Sequence, residues 1–234
     1  MAQQPDTASG PSMSNVTSLT DRLPRHTPIR HPETRRLFRY WERLRGERQA
    51  PEKEELDLRE LGELVPWLGL LENQPGAMPA GPVPVGDATT RGGHVWRLTG
   101  SGITMLLGAG LEGTLAFADW EAFEFGTLQR MLRNLASGAQ PFVATLRLKD
   151  HLGTLKTELL ALPVRNTIDG GLLALLALLP LEEHHMLFGP AGGGELLSLR
   201  TIWTTPVPAR RARPAPAAAS YPPFTVIPGG RAEH

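Results

Sequence analysis

Three apolar stretches constrain the fold of this chain more than any other feature of its sequence. They run from Phe142 to Lys149, from Leu155 to Val164 and from Leu172 to Leu179, and each has the length of a strand. The links between them, "DHLG" and "NTIDGG", contain the Asp, Asn and Gly residues that hairpin turns require. Leu and Ala favour helix in the third stretch, but the residues between Gly170-Gly171 and Pro180 are too few for a helix and enough for a strand. The sequence therefore predicts an antiparallel meander.

The residues before the meander predict helices and two further strands. A first amphipathic helix is expected in "HPETRRLFRYWERLRG", with Pro32 in its first turn and Gly46 at its end. A short helix and a strand follow, from Asp57 to about Val65 and near Leu68 to Glu72. A strand at "HVWRLTG", short helical turns and a longer helix from Glu121 to about Ser137 complete the pattern. This order predicts an α+β fold with a five-stranded antiparallel sheet and helices on one face, preceded by the N-terminal amphipathic helix.

Composition divides the chain into one domain and two arms. Residues 1–29 are polar with no apolar period, and residues 182–234 are rich in Pro, Ala, Gly and Arg, so both are expected to be mostly disordered. Residues 30–181 form the predicted domain. Within it, the Pro- and Gly-rich residues 74–93 are expected to be a surface loop between neighbouring strands.

Charge and cysteine content restrict the classes of function. The 24 basic and 24 acidic residues balance, so the net charge gives no strong indication of nucleic-acid binding. The absence of cysteine excludes disulfides, thiolate metal sites and cysteine nucleophiles, and it fits a cytoplasmic location. No signal peptide is expected, and the longest apolar run, Leu172 to Leu181, is too short to cross a membrane.

The motifs that could hold a cofactor are weak. "GAGLEG", from Gly108 to Gly113, spells a dinucleotide fingerprint, but no predicted parallel strand flanks it, so a turn between short helices is expected instead. Haem is not expected, because His94 and His151 are expected to be solvated at strand ends or turns and the long helix offers no histidine as an axial ligand. A flavin–cysteine adduct is excluded, no metal site is expected, and the cofactor stays unknown. No hydrolase, metalloprotease or P-loop motif is present, so we expect a protein without catalytic activity.

Apolar side chains are expected to line a cup between the sheet and the helices. They are first of all core residues, and a ligand pocket among them is the alternative interpretation. The candidates are Trp96, Leu98, Ile103, Leu107, Phe117, Trp120, Phe125, Leu128, Leu132, Leu146, Leu159 and Leu173.

Several linked segments resemble the single-domain PAS family of the alphaproteobacterial type. They are "LFRYWERLRG", "LLEN", "VWRLTGSGITMLLGAGLEGTL", "ALPVRN" and "LLALLALLPL", within residues 30–181. The resemblance implies a PAS-like fold and a role in signal transduction, as a sensor or regulatory module that acts through protein–protein interaction. The Pro- and Gly-rich insertion and the long C-terminal segment depart from the compact family pattern.

The first helix has an aromatic face that must be buried, either on the sheet or against another protomer. The candidate interface residues for a dimer are Leu37, Tyr40, Trp41 and Leu44. We therefore expect self-association or binding to another signalling protein. Two alternatives remain open: a scaffold or adaptor that uses the Pro-rich C-terminal segment, and a surface binder of membranes or nucleic acids that uses the nine arginines between Arg22 and Arg48.

Overall fold

The computed structural model describes residues 28–76, 92–181 and 189–204 of the chain. The helices in these residues are α1 (Pro32–Arg45), α2 (Leu58–Leu61), α3 (Ser101–Leu107) and α4 (Ala122–Gly138), with two 3-10 helices, Lys53–Glu55 and Gly62–Trp67. The strands are β1 (Leu68–Gln74), β2 (Gly93–Thr99), β3 (Phe142–Lys149), β4 (Thr154–Arg165), β5 (Leu172–Pro180) and β6 (Gly193–Thr201).

The strands form a single sheet in the order β2-β1-β5-β4-β3-β6, and all neighbours are antiparallel. The predicted α+β class and antiparallel sheet are therefore confirmed. The predicted number of strands is wrong, because the described sheet has six strands and not five. The additional strand β6 lies in the segment predicted to be a disordered tail, and it pairs with β3 at one edge. Residues 1–27, 182–188 and 205–234 of the predicted arms, and residues 77–91 of the predicted loop, lie outside the described residues.

The meander forms where the turn residues predict it. In the first turn the side-chain oxygen Oδ1 of Asp150 accepts hydrogen bonds from the backbone N–H groups of Leu152 (2.8 Å) and Gly153 (2.6 Å). In the second turn Gly170 has φ +71°, a conformation that strains residues with a side chain, and the Asn166 N–H donates to the Gly171 carbonyl at 2.8 Å. These side-chain and backbone bonds fix the register of β3, β4 and β5.

Helices cover both faces of the sheet, which corrects the prediction of helices on one face. On one face α3 and α4 pack against a core that includes Trp96, Leu146 and Leu176. On the other face α1 and the 3-10 helix Gly62–Trp67 pack against a second core that includes Leu160 and Leu175. Since β4 and β5 are buried on both faces over most of their length, residues 159–164 of β4 and 172–179 of β5 are continuously apolar and show no alternation.

Helix α1 is built as the sequence predicts and lies flat on the second face of the sheet. The His31 imidazole Nδ1 caps the helix by accepting from the Glu33 N–H (3.2 Å), and the helix ends at Gly46, which has φ +54°. Leu37 and Trp41 are fully buried on its sheet side. The Trp41 indole Nε1–H donates to the Pro163 carbonyl of β4 at 2.7 Å, so α1 is joined to the sheet by a polar bond as well as by packing.

A buried carboxylate on β4 fixes the start of α1. Glu158 Oε2 accepts from the Arg30 N–H at 2.6 Å, and Oε1 accepts from the His31 N–H at 2.9 Å. Both N–H groups precede the first turn of the helix, where the helix itself offers no acceptors. Glu158 is 1% exposed, so its carboxylate depends on these bonds and not on water.

We expect Glu158→Ala to lower the free energy of unfolding by about 2 kcal/mol, because it leaves two partly buried N–H donors without acceptors. Glu158→Gln, which keeps one carbonyl oxygen at the same place, is the matched control and should lose less. Urea denaturation followed by circular dichroism measures both variants. Equal losses for the two substitutions would show that the carboxylate does not hold the helix start.

Candidate functional site

A cleft lies at the β2 edge of the sheet, where the chain returns after α3. Residues 109–120 run beside β2: the Trp96 N–H donates to the Thr114 carbonyl at 3.0 Å, and the Gly113 N–H donates to the Trp96 carbonyl at 2.8 Å. This segment therefore covers the backbone edge of β2, which would otherwise be unpaired. Between it, α3 and the sheet is a cleft of about 540 Å³.

Three aromatic side chains form one wall of the cleft. The ring of Phe117 lies 5.7 Å from that of Trp96 and 5.1 Å from that of Trp120, in edge-to-face arrangements. Phe117 has φ +63°, in the left-handed region, which is unfavourable for a bulky side chain. The strain is maintained because the ring is clamped between the two indoles, and strained residues of this kind concentrate at binding sites.

The polar groups of the cleft carry a single formal charge. Gln74, Thr114 and Asp119 line it, and Asp119 is the one charged residue among the described lining residues. Because no lysine or arginine lines the cleft in the described part of the chain, its electrostatics favour an uncharged or cationic ligand over an anion.

The opposite wall connects the cleft to β6. Ala191 lines the cleft, and its N–H donates to the Leu106 carbonyl of α3 at 2.8 Å. Three residues further on, Gly194 of β6 lies directly under the Trp120 indole, where an added Cβ would come within 2.5 Å of the ring. Only glycine permits this approach, so the aromatic wall of the cleft rests on β6.

The structure brings four of the twelve predicted pocket residues to the cleft. These are Trp96, Leu107, Phe117 and Trp120. Another six lie in the core between α4 and the sheet and do not line the cleft. Five of them are fully buried and Phe125 is partly buried; they are Ile103, Leu128, Leu132, Leu146, Leu159 and Phe125. The sequence pattern missed Gln74 at the end of β1, Asp119 in a turn and Ala191 beyond the predicted domain.

Leu98 is not in the pocket, and a β-bulge is the reason. Strict alternation would place Leu98 on the same face as Trp96. The register shifts between the pairs Leu71↔Trp96 and Leu70↔Leu98, so that β2 contains one extra residue at this point. Leu98 is thereby turned to the opposite face at the sheet edge, where it is 65% exposed.

Leu173 is also on the wrong face for the predicted pocket. It belongs to the core beneath α1, whereas its neighbours Ala174 and Leu176 face α4. Because β5 is apolar on both faces, the sequence of this strand does not indicate which residues face which helix.

The predicted interface residues are part of the fold of a single protomer. Leu37, Tyr40 and Trp41 are buried against the chain's own sheet and connecting segments, and Leu44 is half-buried in the same core. The Tyr40 hydroxyl accepts a hydrogen bond from the Asp57 N–H at 2.7 Å. The aromatic face of α1 is thus occupied by the protomer's own core. Self-association through Leu37, Tyr40, Trp41 and Leu44 stays a prediction.

His94, which the sequence predicted to be solvated, is fully buried. Its position two residues before Trp96 turns its side chain to the core face, which is the signal that could have revealed it. The His94 N–H donates to Gln129 Oε1 at 2.9 Å, and Gln129 Nε2 donates to the Ala116 carbonyl at 2.9 Å. Gln129 on α4 therefore holds β2 and the cleft segment together.

The His94 imidazole is neutral in this environment. Neither ring nitrogen has a hydrogen-bond partner among the described residues. Burial lowers the pKa of His94 to about 4; the Gln129 side chain opposes this shift, and the positive charge of Arg133 reinforces it. Protonation of His94 in acid therefore destabilises the fold. The residue belongs to β2, the strand that borders the cleft.

The arginines on the outer face of α1 are partly neutralised. Arg36 contacts Glu33 at 3.0 Å, and Arg43 forms an ion pair with Glu60. Arg36 also donates to the Glu60 carbonyl at 2.6 Å. These contacts reduce the positive charge that the helix would offer to a phosphate surface.

Among the described residues, no group of three or more His, Asp or Glu side chains is placed to hold a metal ion. No helix in the same residues is long and apolar enough to cross a membrane.

Comparison with known families gives a match to part of the chain. A family model described as a PAS domain matches residues 29–80. This PAS match includes α1, α2 and β1, covers less than half of the chain, and supports a PAS-family domain. No significant match was found among curated proteins or among solved structures.

Proposed function

We propose that this chain is a cytoplasmic, non-catalytic sensory or regulatory module of the single-domain PAS type found in alphaproteobacteria, and that a small molecule bound in the cleft biases its interaction with a protein partner. The observation that carries the proposal is the cleft of about 540 Å³ beside a strained aromatic segment. Its volume falls within the range of small-molecule sites. The PAS match gives independent support for a sensory or regulatory role.

The lining of the cleft favours an uncharged or cationic ligand with an apolar part. The apolar part would contact Leu107 and the edges of the Phe117 and Trp120 rings, and a cationic or hydrogen-bonding group would contact Asp119. Aromatic rings and a carboxylate together suit an amine better than a carboxylic acid.

The effect of the ligand would pass to β6 more directly than to α1. The cleft wall includes Trp120, which rests on Gly194 of β6, and Ala191, which is bonded to α3. Helix α1 lies on the other face of the sheet. A ligand that moves Trp120 would therefore change the position of β6 first, and a partner that recognises β6 would sense the change.

The first test is whether the full-length protein binds a small molecule in the cleft. Native mass spectrometry of the purified protein should reveal retained mass, and a thermal-shift series should compare matched amines and carboxylates with the same apolar group. A ligand at a hundred times its Kd should raise Tm by about 5 °C. The proposal fails if no compound is retained and none raises Tm.

A pair of tryptophan substitutions locates the binding site. Ala109 lines the cleft, and Ala109→Trp should fill it and remove the ligand-induced rise in Tm. Met105 is exposed on α3 and does not line the cleft, so Met105→Trp should leave the rise unchanged. A ligand effect that survives Ala109→Trp would assign binding to another part of the protein.

A further inference from the structure

The two edges of the sheet differ in whether other residues form hydrogen bonds with them. The β2 edge is covered by the segment that carries Gly113 and Thr114. At the other edge, β6 pairs with β3, and no described residue pairs with its outer side. Nine residues without proline thus present backbone N–H and C=O groups along an open strand, which is the geometry to which another strand adds.

The sequence of β6 is complementary to itself in the antiparallel direction. When two copies are placed with the dyad between residues 197 and 198, Glu195 lies opposite Arg200 of the other copy, and Leu196 lies opposite Leu199. Opposite-charge pairs and apolar pairs at directly facing positions are the pairs that stabilise antiparallel strands. Each pair occurs twice, as a twofold-symmetric interface requires.

The faces of the side chains agree with this register. Leu196 and Leu199 both pack on the α4 side of the sheet, because a bulge opposite Thr145 and Leu146 inserts one residue between them. Glu195 and Arg200 face the other side, opposite Arg147 and Val143 of β3. A twofold axis perpendicular to the sheet preserves these faces, so each residue meets its complement.

The charged groups are also available for pairing. Arg147 and Lys149 both contact Oε2 of Glu195, at 2.8 and 3.2 Å, and Oε1 has no cation against it in the described part of the chain. Arg200 is exposed and has no ion pair within the same residues. Trp203, just beyond the strand, is 83% exposed and adds apolar area at the end of the edge.

We infer that the outer edge of β6 pairs antiparallel with β6 of a second copy of this chain, with Glu195 opposite Arg200. The pairing joins two sheets into one of twelve strands. It deepens the proposed function, on which it rests for its regulatory meaning, because β6 contacts the aromatic wall of the cleft.

Sedimentation of the full-length protein tests the pairing without any ligand. The wild-type protein should form dimers at micromolar concentration. Arg200→Glu places four carboxylates in two facing pairs and should weaken dimerisation roughly tenfold or more, whereas Arg200→Lys keeps the charge and should not. A monomeric wild-type protein, or equal dimerisation of the two variants, would overturn the inference.

Disulfide cross-linking tests the register, and the absence of native cysteine removes background. Directly opposite residues in antiparallel strands have Cα atoms 4.5–5.5 Å apart, which a disulfide can span. A mixture of Glu195→Cys and Arg200→Cys proteins should therefore cross-link. Glu195→Cys mixed with Arg97→Cys, on the covered β2 edge, should not. Cross-linking in both mixtures or in neither would contradict this register. Because neither experiment uses a ligand, a failure of the pairing leaves the ligand test of the cleft intact, and a failure to find a ligand leaves the pairing intact.

Discussion

Truncation of Trp41 to alanine is expected to lower the free energy of unfolding by about 4 kcal/mol. The indole is completely buried between α1 and the sheet, Phe38 stacks on it with ring centroids 6.0 Å apart, and the Arg45 guanidinium lies 5.1 Å from its centre. The substitution leaves a cavity and also leaves the Pro163 carbonyl without its indole donor.

Phe123→Ala is the matched control for this prediction. It removes a large aromatic side chain from an exposed position on α4, so the expected change is within about 0.5 kcal/mol. Urea unfolding curves for both variants give the comparison. Similar losses in the two proteins would mean that α1 is not packed on the sheet, and would return its aromatic face to the candidates for a partner surface.

Acidification is expected to destabilise the protein through His94. The pKa of the free imidazole is 6.5 and the pKa of His94 in the folded protein is about 4. Between pH 6.5 and pH 4 the imidazole is therefore protonated in the unfolded chain and neutral in the folded chain. Stability therefore falls as pH decreases through this window. The loss from this one residue amounts to about 3 kcal/mol at pH 4 relative to pH 7.

A leucine of similar volume separates this effect from the titration of carboxylates. His94→Leu should be at least as stable as the wild type at pH 7, because it removes two unpaired buried nitrogens. Its loss of stability between pH 7 and pH 4 should be about 3 kcal/mol smaller. His151→Leu, at an exposed turn position, should keep the wild-type pH dependence. Parallel pH profiles for His94→Leu and the wild type would show that His94 is not the group responsible.

Local chemistry made much of this fold predictable. The helix α4 and the strands β3, β4 and β5 lie within one or two residues of their predicted bounds, because Asp150, Asn166 and Gly170 specify their turns with their own side chains or backbone conformations. Helix α1 was predictable for the same reason, since Pro32 and Gly46 mark its two ends.

Tertiary context decided what the sequence left open. The face on which Leu173 lies depends on which helix covers each side of β5, a strand that is buried on both faces. The face on which Leu98 lies depends on a β-bulge that no local residue type indicates. Strand β6 was missed because its own bulge breaks the alternation of Leu196 and Leu199, and because glycines precede it. The twelve candidate pocket residues were predicted to be apolar and inward, but the cleft lies at the sheet edge and takes only four of them.

The covering of β2 by Gly113 and Thr114 also sets the size of any assembly built through the sheet. A chain with two open edges could add copies without end and grow into a fibre. Here the described residues cover one edge within the protomer, so the inferred pair joined at β6 would have a covered edge at each end. The segment that walls the cleft would thereby limit the inferred assembly to two copies.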